Sequence, residues 1–217
     1  MDRVVEIERD GAAAARQALE RCVLSGGIAL FPADGLYGLA CDPLRADAIA
    51  RIHELKGRDE GKPSAVMFFS PLAMRELVSS LRPRARDAVG TLLPGPFTLV
   101  VDNPERRYPL ACREDERRLG VRLIDGPLAG ASCPVLQTSA NRAGESAPGR
   151  FADVPEDIRE RADLAIDGGE LTGRPSTVVD ITGIESGADP VVLREGAVPA
   201  AEVADLVARV AAAYGWS

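Results

Sequence analysis

Two apolar rhythms alternate along the chain. From Ala12 to Leu24 apolar residues return at helical spacing, with Asp10 as a candidate cap and Gly26-Gly27 as a stop. Ile28 to Phe31 is a short unbroken apolar run between glycine and proline, the pattern of a buried strand. A polar, glycine-bearing loop follows, Pro32 to Gly38, and then a second helix from Arg45 to Lys56 with Ala46, Ile49, Ile52 and Leu55 on one face. Further on, a strand is predicted over Ala65 to Phe69, and proline-opened helices over Pro71 to Leu81 and Pro83 to Leu93. Strands are predicted over Phe97 to Val101, Leu119 to Ile124, Val135 to Thr138, Leu164 to Ile166, Thr177 to Ile181 and Val191 to Leu193. Pro199 to Tyr214 reads as a closing amphipathic helix, and Glu105 to Arg118 as the longest loop. Interleaved helices and strands without repeat or linker predict one α/β (α+β) domain over 1–217, a sheet with helices on its faces.

Composition narrows the chemistry. Aromatics are 4% of the chain, so aliphatic side chains must build the core. The net charge of −7 argues against broad adhesion to nucleic acid or anionic lipid, so an anion site has to come from a few convergent cations. The four cysteines form no C-x-x-C pair, and with one histidine in the chain a zinc cluster is not expected. The start lacks an apolar signal segment and no run approaches a membrane span, which points to a cytoplasmic protein with no membrane partner.

Several familiar motifs are missing. Gly57 to Pro63 comes near a phosphate-binding P-loop but is one residue short, and proline stands where the magnesium-binding hydroxyl belongs. No dinucleotide fingerprint or nucleophile elbow is present. His53 lies inside a predicted helix and is expected to be packed there, not to act as a base.

Other short segments set polar or cationic residues beside turn formers. Lys56-Gly57-Arg58 closes the second helix; cations suit a helix C-terminus, and the same pair could grip phosphate oxygens. Thr138-Ser139-Ala140-Asn141 follows a strand, either as a self-bonded polar turn or as a ligand loop at a strand's C-terminal edge. Ser176-Thr177-Val178-Val179-Asp180 joins hydroxyls to a strand, while Gly120-Val121-Arg122 and Leu193-Arg194-Glu195-Gly196 each put an arginine beside a glycine.

Taken in order, these segments resemble the YrdC family of threonylcarbamoyl-AMP synthases. The likeness also includes Phe31-Pro32-x-Asp34-x-x-Tyr37-Gly38-Leu39 and Pro94-Gly95-Pro96-Phe97-Thr98, and it runs from about Gly26 to Pro199. The resemblance implies a twisted mixed β-sheet flanked by helices, with a concave cationic cleft. It implies an enzyme, a nucleotidyltransferase that joins L-threonine, bicarbonate or CO2, and ATP with Mg2+ into threonylcarbamoyl-AMP and pyrophosphate. A downstream transferase would then modify adenosine in tRNA, direct tRNA contact being weak or absent. The competing reading is a YrdC-like module that binds double-stranded RNA or tRNA without this activity.

By the resemblance, Lys56, Arg58, Ser139 and Asn141 carry the catalysis. Arg122, Thr138, Ser176 and Arg194 join them in holding ATP and its phosphates, and Asp34 and Tyr37, with Lys56 and Arg58, hold the amino acid. One departure bears on selectivity. Family members read Pro-Thr-(Asp/Glu)-Thr-Val-Tyr-Gly-Leu in the first loop, whereas this chain has Ala33, Gly35 and Leu36. Two hydroxyls are lost; either water fills the gaps, or a glycine at 35 lets backbone approach the ligand more closely.

Overall fold

The computed structural model describes residues 4–57 and 63–216. Its strands are β1 (Val4–Glu6), β2 (Ala29–Pro32), β3 (Tyr37–Cys41), β4 (Ala65–Phe68), β5 (Phe97–Asp102), β6 (Arg118–Leu123), β7 (Val135–Ser139), β8 (Leu164–Asp167), β9 (Thr177–Asp180) and β10 (Val191–Arg194). The α-helices are α1 (Ile7–Asp10), α2 (Ala12–Leu24), α3 (Ala46–Lys56), α4 (Pro71–Ser80), α5 (Pro83–Leu92), α6 (Pro109–Cys112), α7 (Glu156–Arg161) and α8 (Ala200–Tyr214).

The strands form one mixed sheet in the order β1-β8-β2-β3-β7-β4-β6-β5-β9-β10. Alternation within strands sorts the core onto its two faces. Leu30, Val66 and Phe68 join the larger cluster, under α3, α4, α5, α7 and α8; Phe31, Met67 and Phe69 join the smaller one, under α2. In α3, Ile49, Ile52 and Leu55 are buried, each contributing roughly 2 kcal/mol by removal from water.

Most predicted elements fall within a residue or so of those found. Three differences have physical reasons. β3 starts inside the segment Pro32 to Gly38 that reads as loop and runs on through Leu39 to Cys41; all its residues are buried, so no polar alternation marks it as a strand. Asp10 does not cap α2: Gly11 holds that position, while the Asp10 carboxylate accepts from Glu6 N and from Arg9. The long loop from Glu105 contains the single turn α6 and gives way to β6 at Arg118.

Strand order decides where the motifs meet. The hairpin β2–β3 pairs with β7, placing Gly38 opposite Ser139. β5 lies between β6 and β9, bringing Gly120 and Asp180 beside Val100. The motif segments therefore come together on the run of strands from β2 to the β10 edge although they are far apart in sequence.

Candidate active site

A cavity of about 730 Å³ opens over this convergence. Its lining includes Tyr37, Lys56, Arg122, Thr138, Ser139, Asn141, Ser176 and Arg194, so eight of the ten residues singled out in the sequence share one space. Asp34 is not on that lining; its carboxylate approaches Arg122 Nη2 at 3.3 Å from the first loop, where φ is 77°. Arg58 lies outside the described residues.

Lys56 ends α3 and is buried. Its ammonium donates to Ser139 O, to Asn141 O at 2.7 Å and to Asn141 Oδ1 at 3.2 Å. The Asn141 amide nitrogen in turn donates to Arg142 O at 3.0 Å and Glu145 O at 2.6 Å. Ala143 N reaches back to Lys56 O at 2.8 Å. The loop after β7 is thus organised around a buried cation, a charge-assisted arrangement stronger than neutral hydrogen bonds. Among the described residues, the Ser139 hydroxyl makes no hydrogen bond, leaving it available on the lining.

Arg122 on β6 has the most unusual surroundings. It is 5% exposed, and its bonds are long: 3.4 Å to Ala33 O, 3.5 Å to Gln137 Oε1 and 3.3 Å to Asp34 Oδ2. Its Nε is buried with no partner. Burial pulls its pKa down to about 10, the Asp34 charge opposing the shift and Arg194 adding to it. A buried guanidinium this poorly satisfied still has donor capacity that an anion could take up.

Another part of the lining is built by Ser176 and Arg194. Ser176 Oγ is 2.8 Å from Thr98 Oγ1, and Arg194 Nη2 donates to Ser176 O at 2.8 Å. Partial desolvation lowers the pKa of Arg194. Gly196 allows this packing, since a Cβ there would lie 2.4 Å from Pro175 O and 2.6 Å from Ser176 O. Thr177 Oγ1 accepts from Val198 N and Gly196 N and donates to Val198 O, so the Thr of the Ser-Thr pair holds the chain and leaves Ser176 to the cavity.

Arg118, Arg174 and Asp180 also line the cavity; of these only Asp180 lies in a segment that stands out in the sequence. Arg118 and Asp180 form an ion pair across β5. Arg174 stands beside glycine and proline next to Ser176, the same cue that drew attention to Arg122 and Arg194. Tyr37 is fully buried; its hydroxyl donates to Gly169 O at 2.8 Å and accepts from Gly168 N at 2.9 Å, so it anchors the segment after β8.

Among the described residues the lining offers no activated nucleophile. Cys112 reaches it, but burial pushes the thiol up to about 11, so it stays protonated at neutral pH. His53 is buried in α3 with Arg113 Nη2 at 3.1 Å from its ring nitrogens, packed as expected. Among the described residues no group of three or more His, Cys, Asp or Glu could hold a metal ion. Of the two carboxylates on the described lining, Asp180 is paired with Arg118 and Asp115 accepts from Arg117 N at 3.1 Å, so a metal here would have to come largely coordinated by its substrate. The geometry suits binding and orienting two anions.

A family model for Sua5, YciO and YrdC proteins, described as "Telomere recombination", matches residues 21–196. The chain belongs to the Sua5/YciO/YrdC family. A Pseudomonas aeruginosa relative named threonylcarbamoyl-AMP synthase is 33% identical over 171 residues, covering 76% of this chain and 91% of the relative. A Pyrococcus abyssi relative of the same name is 29% identical over 207 residues; the match covers 90% of this chain but only 58% of that protein. The crystal structure of P. abyssi Sua5 complexed with L-threonine superposes with a TM-score of 0.80 at 27% identity, covering 99% of this chain and 64% of that one. E. coli YciO superposes with a TM-score of 0.73 at 25% identity, covering 90% and 95%.

Within this Sua5/YciO/YrdC frame the first-loop departure has a structural answer. The backbone that approaches Gly35 belongs to the protein itself. A Cβ at 35 would lie 2.0 Å from Arg174 O and 2.8 Å from Thr172 Oγ1. The space freed by the missing side chain is filled by the segment entering β9.

Proposed function

We propose that the chain is an L-threonylcarbamoyladenylate synthase, the observation carrying this being the buried, under-satisfied Arg122 on the wall of a cavity that also presents Ser139, Ser176 and Arg194. The names of the relatives and the L-threonine complex of P. abyssi Sua5 support the same reading.

The substrate provides its own nucleophile. The amine of L-threonine combines with CO2 from bicarbonate to give a carbamate. A carbamate oxygen attacks the α-phosphorus of ATP, the bond to the β-phosphate bridging oxygen breaks, and pyrophosphate leaves. The protein's part is to hold two anions in line and to offset the charge of the departing group. Arg122 would take the carboxylate or carbamate, with Asp34 steadying its guanidinium. Tyr37 would shape the amino-acid end through the segment it anchors. Ser139, Thr138, Ser176 and Arg194 would receive the nucleotide phosphates. Lys56 and Asn141 would set the loop that presents Ser139, and Arg58 would add a further cation from the residues after α3. Mg2+ would be carried by the triphosphate, where it would neutralise charge on the pyrophosphate. The product, a mixed anhydride, would go to a transferase acting on tRNA.

Titration calorimetry tests the binding half of this reading. ATP with Mg2+ and L-threonine is expected to bind the wild-type protein, and binding should be lost in Arg122→Met. Saturable binding of double-stranded RNA with no heat from ATP or threonine would refute it.

A further inference from the structure

The segment from Gly168 to Ser176 is pinned along its length. Tyr37 holds its start. Glu170 pairs with Arg150 at 2.8 Å, and Leu171 N donates to Gly149 O at 2.8 Å. Gly173 N donates to Gly35 O at 2.9 Å, and Ala197 N donates to Pro175 O at 2.8 Å. The contact at residue 35 depends on the absence of a side chain, because Arg174 O occupies the place of a Cβ. A threonine at 35 and this placement of the segment exclude each other.

What the docked segment delivers is Arg174. Its side chain is exposed and lines the cavity, and among the described residues its guanidinium has neither an ion pair nor a hydrogen bond. Ser176, two residues on, leads inward to Thr98 and Arg194. The cations thus differ in hydration. Arg122 is buried and suits a small anion stripped of water, whereas a solvated guanidinium at the rim suits a charged group that must enter and leave.

We propose that Arg174 is a further binding residue for the polyphosphate end of the nucleotide, and that Gly35 is the positioning residue that lets the segment present it. This rests on the nucleotide-binding reading above. It also gives a reason for glycine in the first loop: a hydroxyl there has been exchanged for a docked segment with its own cation.

The test is titration calorimetry of the full chain with inorganic pyrophosphate and, separately, with AMP. An exposed charge-assisted contact predicts about fivefold weaker pyrophosphate binding in Arg174→Ala. AMP affinity should stay within twofold, and Arg174→Lys should recover part of the loss. Gly35→Ala should weaken pyrophosphate binding similarly, with little added by combining it with Arg174→Ala. Arg174 is exposed, so its substitution leaves the core intact even if Gly35→Ala fails to fold. Unchanged pyrophosphate affinity in Arg174→Ala, an equal loss for AMP, or no pyrophosphate binding by the wild type would each overturn the proposal. Arg174-dependent pyrophosphate binding in a protein that forms no adenylate would uphold it while removing the synthase reading.

Discussion

Arg122 costs the fold stability, a cost that a bound anion would offset. Its Nε has no partner, its remaining bonds are stretched to 3.3–3.5 Å, and burial already weakens its hold on its proton. Replacing such a charge with an apolar side chain of similar length commonly stabilises a protein. Arg122→Met is therefore expected to raise unfolding stability by about 1–2 kcal/mol in urea titrations while abolishing ligand binding. A less stable Arg122→Met protein would mean that the arginine is held well by its neighbours. Sequence could nominate Arg122 and Lys56 as cations beside turns, but not tell them apart. That distinction came from which carbonyl oxygens surround each: Lys56 has its donors engaged by the Ser139–Asn141 loop, and Arg122 does not.

At the scale of elements, the site depends on close approaches between segments that are not adjacent in sequence. β10 turns back at Gly196 against Pro175 and Ser176, with the Cβ position only 2.4 Å from a carbonyl oxygen. Gly196→Ala must push Ser176 and Arg194 away from the cavity. It should destabilise the protein by about 1–3 kcal/mol, as overpacking does, and raise the KM for ATP. Normal stability with normal KM would show that the strand end yields without disturbing Ser176. Helices and most strands were legible because their apolar spacing is local. β3 was not, since Tyr37 to Cys41 is buried on both faces and interrupted by glycine. The docking of Gly35 under Arg174 was likewise hidden: composition shows that a side chain is missing, and only the folded chain shows what takes its place.

For the whole molecule, buried acids dominate the alkaline response. Burial pushes Cys22 and Cys41 up to about 12 and Cys112 and Cys133 up to about 11, and it raises Tyr37 as well. Groups raised in the folded state keep their protons while the unfolded chain loses them, so their stabilisation is present below the ordinary thiol range and is lost as pH climbs through about 9 to 12. Arg122 acts in the opposite sense above about 10, because the unfolded chain keeps that proton longer. The urea midpoint is expected to hold steady from pH 7 to 8.5 and to fall by pH 10. A midpoint that rises over that range would contradict the burial of these thiols.

The same scale sets the electrostatic frame. The chain carries −7 overall, yet its cavity is lined by Lys56, Arg118, Arg122, Arg174 and Arg194 against Asp115 and Asp180. Such focusing favours small anions over an extended polyanion. No described helix is long and apolar enough to cross a membrane.

Mass spectrometry of a reaction containing ATP, Mg2+, bicarbonate and L-threonine decides most. Threonylcarbamoyl-AMP and pyrophosphate are expected in equal amounts, dependent on bicarbonate and lost in Lys56→Met and Arg122→Met. No adduct with threonine, serine or any other amino acid, or an adduct that persists without Arg122, would show that this cavity does not join a carbamate to a nucleotide.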